Sequence, residues 1–376
     1  MSRTLERLLQ RPELQLAVGE TRIDINDDTG PFRVPSPHLL VIGERILASP
    51  SGAVALRHGL ELAWMRGIAP DDPVACGVLS ARLAGLYLVG ETAAFQESRG
   101  DADPYLILLR RLSGDLPEGR ALVLLWKILS AHQPGQKADL NQTIYDRIVC
   151  AWPMAQPAEH LIATGGDPRL RLDPATGFNA YGCMPRPQPG VVTFSSCTAS
   201  SLSERGYMAA EAARRRMLAG FLGERSGRVL TEETDRIRAS LLGHYEVADR
   251  AEAVLAPSGT DATMLATALV STKRPHAPTT VVVMELSETG AGVPQAAAGR
   301  HFADAASLGE KAMRGDVIEG FNTNLRLRTV SLRKVDGRPH TPEEIEAEIA
   351  RAVAETGRHG RVILHAIDLS KTGILA

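Results

Sequence analysis

The sequence has few cysteines, few aromatic residues and almost no net charge, and each scarcity excludes a class of protein. Its four cysteines, Cys76, Cys150, Cys183 and Cys197, are scattered without a C-x-x-C pair. This spacing is typical of free thiols in a reducing compartment and not of a disulfide framework. A formal net charge of -2 and 4% aromatic residues give no basic surface for nucleic acid. We therefore expect no nucleic-acid partner, and the His and Cys spacing predicts no metal site.

Long apolar runs are also missing. No stretch reaches the roughly 18 uninterrupted apolar residues of a membrane helix, and the segment from Met1 to Gln15 carries charges where a signal peptide is apolar. We expect a cytoplasmic protein with no membrane partner. The cluster Arg214-Arg215-Arg216 lies in a helical pattern, and we interpret it as a solvated helix face.

The first 165 residues predict an N-terminal helical domain. Apolar residues recur there at three- and four-residue spacing, and breaks fall at Pro, Gly and Asp clusters. The predicted helices are Leu5–Leu9, Ala53–Arg66, Gly77–Phe95, Pro104–Leu112, Ala121–His132 and Leu140–Trp152. The sequence does not indicate a role for this domain.

Residues 166–225 are rich in Gly, Pro, Ser and Thr, which predicts a linking segment that also lines an active site. Asn179, Tyr181 and Arg186 are residue types that bind small molecules, so we take them as candidate substrate-binding residues. A plain connection between domains has the same composition and is an equal alternative. The end of this region and the start of the next carry two helical patterns, Ser203–Ala219 and Thr231–Val247.

Residues 226–376 predict an α/β domain, because strands and helices alternate and such alternation favours a mostly parallel sheet with flanking helices. The predicted strands are Ala253–Ala256, Thr280–Leu286, Arg326–Leu332 and Val362–Ile367. The predicted helices between them are Asp261–Thr272, Ala305–Arg314 and Pro342–Glu355. Ligands of such sheets bind beyond the carboxyl ends of the strands.

The stretch from Ala251 to Val270 is the most informative part of the chain. It predicts a short strand, a turn at Ser258, Gly259 and Thr260, and then a helix that begins near Asp261. The free amides and the dipole at a helix start bind anions, above all phosphate. Ser258 and Thr260 add hydroxyl donors, and Gly259 allows close approach of the backbone. An ordinary helix cap by Ser258 or Asp261 is the alternative.

Polar clusters follow two further predicted strands. Ser287-Glu288-Thr289-Gly290 follows the second strand, and Asp368-Leu369-Ser370-Lys371-Thr372-Gly373 follows the fourth. In a parallel sheet these clusters and the turn at Ser258 lie at the same edge. We therefore expect a phosphate cradle, a hydroxyl and carboxylate pair and a Ser-Lys pair to face one cleft.

Residues 200 to 376 resemble the fold-type-I pyridoxal-phosphate enzymes, in particular the class V aminotransferase and cysteine desulfurase branch. The resemblance implies that Ser258, Gly259, Thr260 and Asp261 bind the cofactor phosphate. It places Thr289 where the family has the imidazole that stacks on the cofactor ring, although a threonine cannot stack. It places Ser370 where the family has an Asn that touches the ring hydroxyl.

In the family, an Asp that pairs with the pyridine nitrogen and the Schiff-base lysine come later in the chain. The resemblance therefore implies a large domain that is incomplete at the C-terminus, with the lysine beyond Ala376. Lys371, which follows a strand directly, is the alternative inside the chain, and Asp368 is the matching alternative for the pyridine partner. His301 is a further candidate for substrate or acid–base contacts, with a structural role as its alternative.

The resemblance implies a pyridoxal 5'-phosphate enzyme, a transferase or lyase, that acts on an amino acid or a related substrate. The reaction would pass through an external aldimine to transamination, elimination or side-chain replacement. It also implies a homodimer. The alternatives are a catalytically silent α/β binding or scaffold protein and a binder of another phosphorylated small molecule.

Overall fold

The structure is a computed structural model, and it describes most of the chain. The described residues are 2–27, 30–90, 103–131, 139–164, 170–173, 176–188, 190–192, 201–223, 227–273, 276–304, 306, 310–321, 324–367 and 370–374. The chain divides into two units, Met1–Ala251 and Glu252–Ala376. The domain boundaries predicted at residues 165 and 225 stay predictions.

The first unit combines helices with one small sheet. Its helices and strands, in chain order, are α1 (Arg3–Leu8), α2 (Pro12–Val18), β1 (Arg22–Ile25), β2 (Phe32–Ser36), β3 (Leu39–Ile42), α3 (Glu44–Ala48), α4 (Gly52–Ile68), α5 (Pro73–Gly90), α6 (Pro104–Leu112), α7 (Gly119–Ala131), α8 (Gln142–Ala151), a 3-10 turn (Trp152–Met154), α9 (Ala158–Ala163), α10 (Glu204–Leu222) and α11 (Val229–His244). The helices predicted from apolar spacing are therefore present, with ends shifted by a few residues within the described part of the chain, while the predicted ends at Phe95 and His132 lie outside the described residues.

The first unit also contains a three-stranded sheet, which the prediction of a mainly helical N-terminal domain did not include. Strand β3 lies in the middle, parallel to β1 and antiparallel to β2. Pro35 lies in β2, an edge strand, where a residue without an N–H is tolerated. The strands are four or five residues long. β1 and β2 mix charged with apolar residues, and β3 is a run of four apolar residues, so none of them gives a clear periodic signal.

Helices α4 and α5 form the centre of the first core. Nearly every residue of α5 is buried, including Cys76 and Tyr87. The helix packs closely against α6, since a Cβ added at Gly85 would lie 2.2 Å from the carbonyl oxygen of Leu109. Among the described residues, α5 is also the one helix long and apolar enough to cross a membrane, and 83% of its most apolar stretch is buried in the protein. The core helix of a soluble protein passes the same test.

A buried ionic network ties α4 to α10 and shows that the interpretation of the arginine cluster as solvated is wrong for Arg214 and Arg215, while Arg216 is exposed. Arg57 and Glu61 on α4 and Glu211 and Arg214 on α10 are each at most 1% exposed. The Arg57 guanidinium lies 2.6 Å from Glu211 and 3.0 Å from Glu61. Arg214 donates to both Glu61 oxygens at 3.1 and 3.2 Å. Arg215 is also mostly buried and lies 3.3 Å from Glu61.

The second unit contains a parallel three-stranded sheet. Its helices and strands, in chain order, are α12 (Gly259–Thr272), β4 (Thr279–Met284), α13 (Val293–Ala297), β5 (Leu325–Val330), α14 (Pro342–Thr356) and β6 (Arg361–His365). Strand β4 lies in the middle and pairs in parallel with both β5 and β6. Every residue of β4 is buried, as expected for the central strand of a sheet covered on both faces.

The two faces of β4 carry separate small cores. Val282 and Met284 pack with Ile345 and Ala352 of α14 on one face. Val281 and Val283 pack on the other face with Ala297 of α13, and apolar residues of α12 join them there. The alternation of side chains along the strand produces both cores from consecutive residues. Helix α14 begins with a capping box between Thr341 and Glu344, which fixes its first turn.

Two predicted secondary-structure elements of the second unit are wrong. The segment Ala253–Ala256 is apolar but has no regular structure, so the phosphate turn follows an irregular segment and not a strand. The described residues of the predicted helix Ala305–Arg314 are also non-helical. The α/β class with flanking helices and parallel pairing is present. The assignment of this unit to a pyridoxal-phosphate fold is a proposal.

Candidate functional site

The start of α12 is a capped helix N-terminus that is open to solvent. The Ser258 hydroxyl accepts from the Asp261 amide at 3.2 Å and donates to the Asp261 carboxylate at 2.6 Å. Ser258 and Gly259 are exposed, and a Cβ added at Gly259 would meet no atom within 4 Å. The amides of Gly259 and Thr260 precede any intrahelical acceptor. They can therefore donate to an anion beside the cap.

Thr260 connects this helix start to the loop after β4. A Cβ added at Gly290 would lie 3.8 Å from the Thr260 hydroxyl oxygen, and one added at Gly292 would lie 3.1 Å from the Thr260 methyl group. The ring of Phe302 packs on the same glycine, 3.3 Å from that Cβ position. The structure thus brings a hydroxyl, a glycine loop and an aromatic side chain together beside the helix start.

Glu288 joins the same loop to the exits of β5 and β6. Its carboxylate accepts from Arg333 Nε at 3.0 Å and from the Thr372 hydroxyl at 2.7 and 2.8 Å. The Thr372 amide donates to Glu288 Oε2 at 3.3 Å. The Lys371 amide donates to the Glu288 carbonyl at 3.1 Å. The loops after β4, β5 and β6 therefore meet at one carboxylate.

The electrostatics of Glu288 follow from these contacts. Burial would raise the pKa of Glu288, but hydrogen bonds from Ser370, Thr372 and Arg333 outweigh the burial and hold that pKa below its ordinary value. The Glu288 side chain is 0% exposed and that of Arg333 is 31% exposed. The carboxylate therefore stays ionised and serves as a fixed acceptor.

The other two residues that the family resemblance selects are largely buried. Thr289 is 7% exposed, and its hydroxyl donates to the Glu285 carbonyl at 3.2 Å. Ser370 is 5% exposed, and its hydroxyl accepts from the Ile374 amide at 2.9 Å. Lys371, next to Ser370, is exposed. Of this pair, Lys371 has the side chain that a ligand can reach without a rearrangement.

His301 lies in the segment that follows α13. Its amide donates to the Asp316 carbonyl at 2.9 Å, and its carbonyl accepts from the Gly315 amide at 2.8 Å. It is half-buried and adjoins Phe302, whose ring contacts the glycine loop. The residue is therefore one position away from the group at the start of α12.

Asn179, Tyr181 and Arg186 lie in the first unit. The Asn179 side chain accepts from the amides of Tyr181 and Cys183 at 2.9 and 3.0 Å, which closes a local turn. Arg186 pairs with buried Glu159 at 3.0 Å and lies over the Tyr87 ring. Their observed contacts are internal to the first unit.

The residues at the start of α12 fit a phosphate. Backbone amides, a glycine without near neighbours and the Thr260 hydroxyl are the groups that phosphate sites use. The negative charge of the Asp261 carboxylate repels an anion. The Ser258 hydroxyl donates a hydrogen bond to that carboxylate. Asp368, the alternative pyridine partner, lies outside the described residues. Within the described part of the chain, no group of three or more His, Cys, Asp and Glu residues has the arrangement of a metal site.

The most distinct cavity of the described chain is elsewhere, in the first unit. It has a volume of about 240 Å³ and is lined by Pro187, Gln188, Val191, Ser201, Leu202, Ser203 and Glu204. None of the predicted site residues lines it. Because it borders residues 193–200, which the structure does not describe, we place no function there.

Sequence reasoning missed three residues of the site. Arg333 and Thr372 were not singled out because their role depends on contact with Glu288, which lies 45 and 84 positions away. Phe302 is the third, because the candidate predicted in this segment was its neighbour His301. The sequence does contain a feature that could have identified them. Arg333 and Thr372 come shortly after strands, and Phe302 comes shortly after the small-residue segment from Gly290 to Gly299.

Comparisons with known proteins do not extend this description. No protein-family model matches the sequence, and neither a curated protein nor a solved structure gives a significant match. The function is therefore argued from the site alone.

Proposed function

We propose that the protein is a pyridoxal-phosphate-dependent enzyme that acts on an amino acid or a related substrate and that its second unit binds the cofactor. The observation that carries this proposal is the convergence of the start of α12 with the loops after β4, β5 and β6. Thr260 contacts the loop that contains Gly290 and Gly292. Glu288, two residues before Gly290, accepts hydrogen bonds from Lys371 and Thr372. Such a junction at the carboxyl edge of a parallel sheet is where α/β proteins bind ligands.

Each residue near the junction has a defined role in the proposal. The amides of Gly259 and Thr260 and the Thr260 hydroxyl hold the phosphate, while the Ser258 hydroxyl donates to Asp261 and caps the helix. Phe302 is the aromatic side chain placed to cover a planar ring. Lys371, whose backbone amide donates to the Glu288 carbonyl, supplies the amine that we assign to the junction. When bound, pyridoxal phosphate supplies an electron sink for bonds at the substrate Cα.

The wider expectations belong to the same proposal. A homodimer in the cytoplasm, with Asn179, Tyr181, Arg186 and His301 on the substrate side, follows from the resemblance and from the residue types.

A second candidate is a non-catalytic α/β protein or a binder of another phosphorylated small molecule. The Ser258–Asp261 hydrogen bonds favour it, because they cap the first turn of the helix without any ligand. This candidate predicts no selective affinity for the pyridoxal ring.

Equilibrium dialysis with pyridoxal phosphate tests the proposal through Thr260→Val. We expect the variant to bind about tenfold or more weakly, because a hydrogen bond to a charged group contributes about 1.5–3 kcal/mol. The matched control is Thr272→Val at the other end of α12, where the hydroxyl donates to the Leu269 carbonyl. Equal affinities of the two variants would place the phosphate elsewhere, and no binding by the wild-type protein would favour the second candidate.

A further inference from the structure

Glu288 is the most highly connected side chain of the junction, and the family resemblance, which matches Glu288-Thr289 to a Glu-His pair, assigns it no role. Its carboxylate is 0% exposed and receives hydrogen bonds from Arg333 of the β5 exit and from Thr372 of the β6 exit. Arg333 also donates to the Thr372 hydroxyl and, at 3.0 Å, to the Gly337 carbonyl. A single carboxylate therefore links three loops that are far apart in the sequence.

Glu288 also accepts hydrogen bonds from two backbone amides of the loop after β6. Its carbonyl accepts from the Lys371 amide at 3.1 Å, and its carboxylate accepts from the Thr372 amide at 3.3 Å. Two consecutive peptide units of the last loop are thus held by one residue. Ser370 closes the other side of the loop through its contacts with Ile374.

Glu288 lies close in sequence to the two glycines that contact the start of α12. Gly290 and Gly292 follow it by two and four residues and contact Thr260 at the helix start. The same short loop therefore touches the phosphate turn with its glycines and holds Lys371 with Glu288.

We propose that Glu288 is the positioning residue of the candidate site: it holds the loop Ser370–Gly373, which carries Lys371, against the loop whose glycines contact the phosphate turn. Arg333 and Thr372 hold the Glu288 carboxylate in place from the solvent side. This inference rests on the proposed function, since it assigns Glu288 a role toward the same cofactor. Glu288 acts through Lys371 and Ser370 and does not itself contact the cofactor.

The test compares Glu288→Gln with Glu285→Gln. Glu285 is the matched control, because it also follows β4 but its carboxylate binds Ser331 and the Leu332 amide instead of the last loop. The first readout needs no cofactor: trypsin cleavage after Lys371, followed by mass spectrometry. We expect Glu288→Gln to be cleaved there several times faster than the wild type, and Glu285→Gln to be cleaved at the wild-type rate.

The second readout is the absorbance spectrum of bound pyridoxal phosphate. We expect Glu288→Gln to change the band position and to weaken binding, while Glu285→Gln leaves both unchanged. If the wild type binds the cofactor and the two variants behave alike in both readouts, the inference is overturned and the proposed function stands. If the wild type does not bind the cofactor, the proposed function fails and this inference fails with it.

Discussion

At the scale of single residues, burial decides which charged and polar groups have a structural role. Arg214 was interpreted as solvated because it belongs to a run of three arginines on a helix. The structure buries it between Glu61 and Glu211. Glu61 lies 153 positions earlier in the chain. No local pattern reports such a partner, so this part of the structure could not be predicted from sequence.

His58 provides a pH prediction at the residue scale. It is completely buried beside Tyr105, whose hydroxyl lies 2.8 Å from Nδ1, and burial lowers the pKa of His58 to about 3. The unfolded chain binds a proton near the ordinary pKa of 6.5. Acidification from pH 7 to pH 5 therefore favours the unfolded state, and this residue alone accounts for a loss of about 2 kcal/mol.

The comparison of wild type with His58→Gln isolates this contribution. Tryptophan fluorescence during urea unfolding reports the first unit alone, because Trp64, Trp126 and Trp152 all lie there. We expect the free energy of unfolding to fall less between pH 7 and pH 5 in the variant. The same fall in both proteins would mean that His58 is protonated or exposed in the folded state.

At the scale of helices and strands, apolar periodicity predicted much of the structure. The strand β4 was predictable because its sequence TTVVVM is a continuous β-branched and apolar run between turns. The strands β1 and β2 were missed because they are short and carry charges or proline. The segment Ala253–Ala256 was predicted as a strand from its apolar residues, but it has no regular structure. Whether such a short segment forms a strand depends on the strand with which it pairs, and the sequence does not reveal that partner.

The contact between α5 and α6 provides a prediction at this scale. Gly85→Ala would place a Cβ 2.2 Å from the Leu109 carbonyl oxygen and 2.9 Å from its carbon, so the helices must separate. We expect a loss of about 1–3 kcal/mol in the free energy of unfolding, measured by the same tryptophan fluorescence.

Gly243→Ala is the control for that prediction. Gly243 lies within α11, and a Cβ there meets no atom within 4 Å. The helix propensity of alanine predicts a gain of up to about 1 kcal/mol. A Gly85→Ala variant as stable as the wild type would contradict the close packing of α5 on α6.

At the scale of the whole molecule, the site belongs to one unit. The predicted phosphate turn, the glycine loop and the loops after β5 and β6 all lie within Glu252–Ala376. The sequence predicted the turn and two of the strand-end loops, because polar clusters directly follow apolar runs. It could not predict that Glu288 joins them, since this depends on the order β5-β4-β6 in the sheet.

The most direct test of the central claim compares the binding of pyridoxal phosphate and of pyridoxal to the wild-type protein by equilibrium dialysis. The two ligands differ in the phosphate alone, which is the group that the start of α12 is proposed to hold. We predict that pyridoxal phosphate binds at least about tenfold more tightly and that inorganic phosphate competes with it. Equal affinity for both ligands, or no binding of either, would contradict the account.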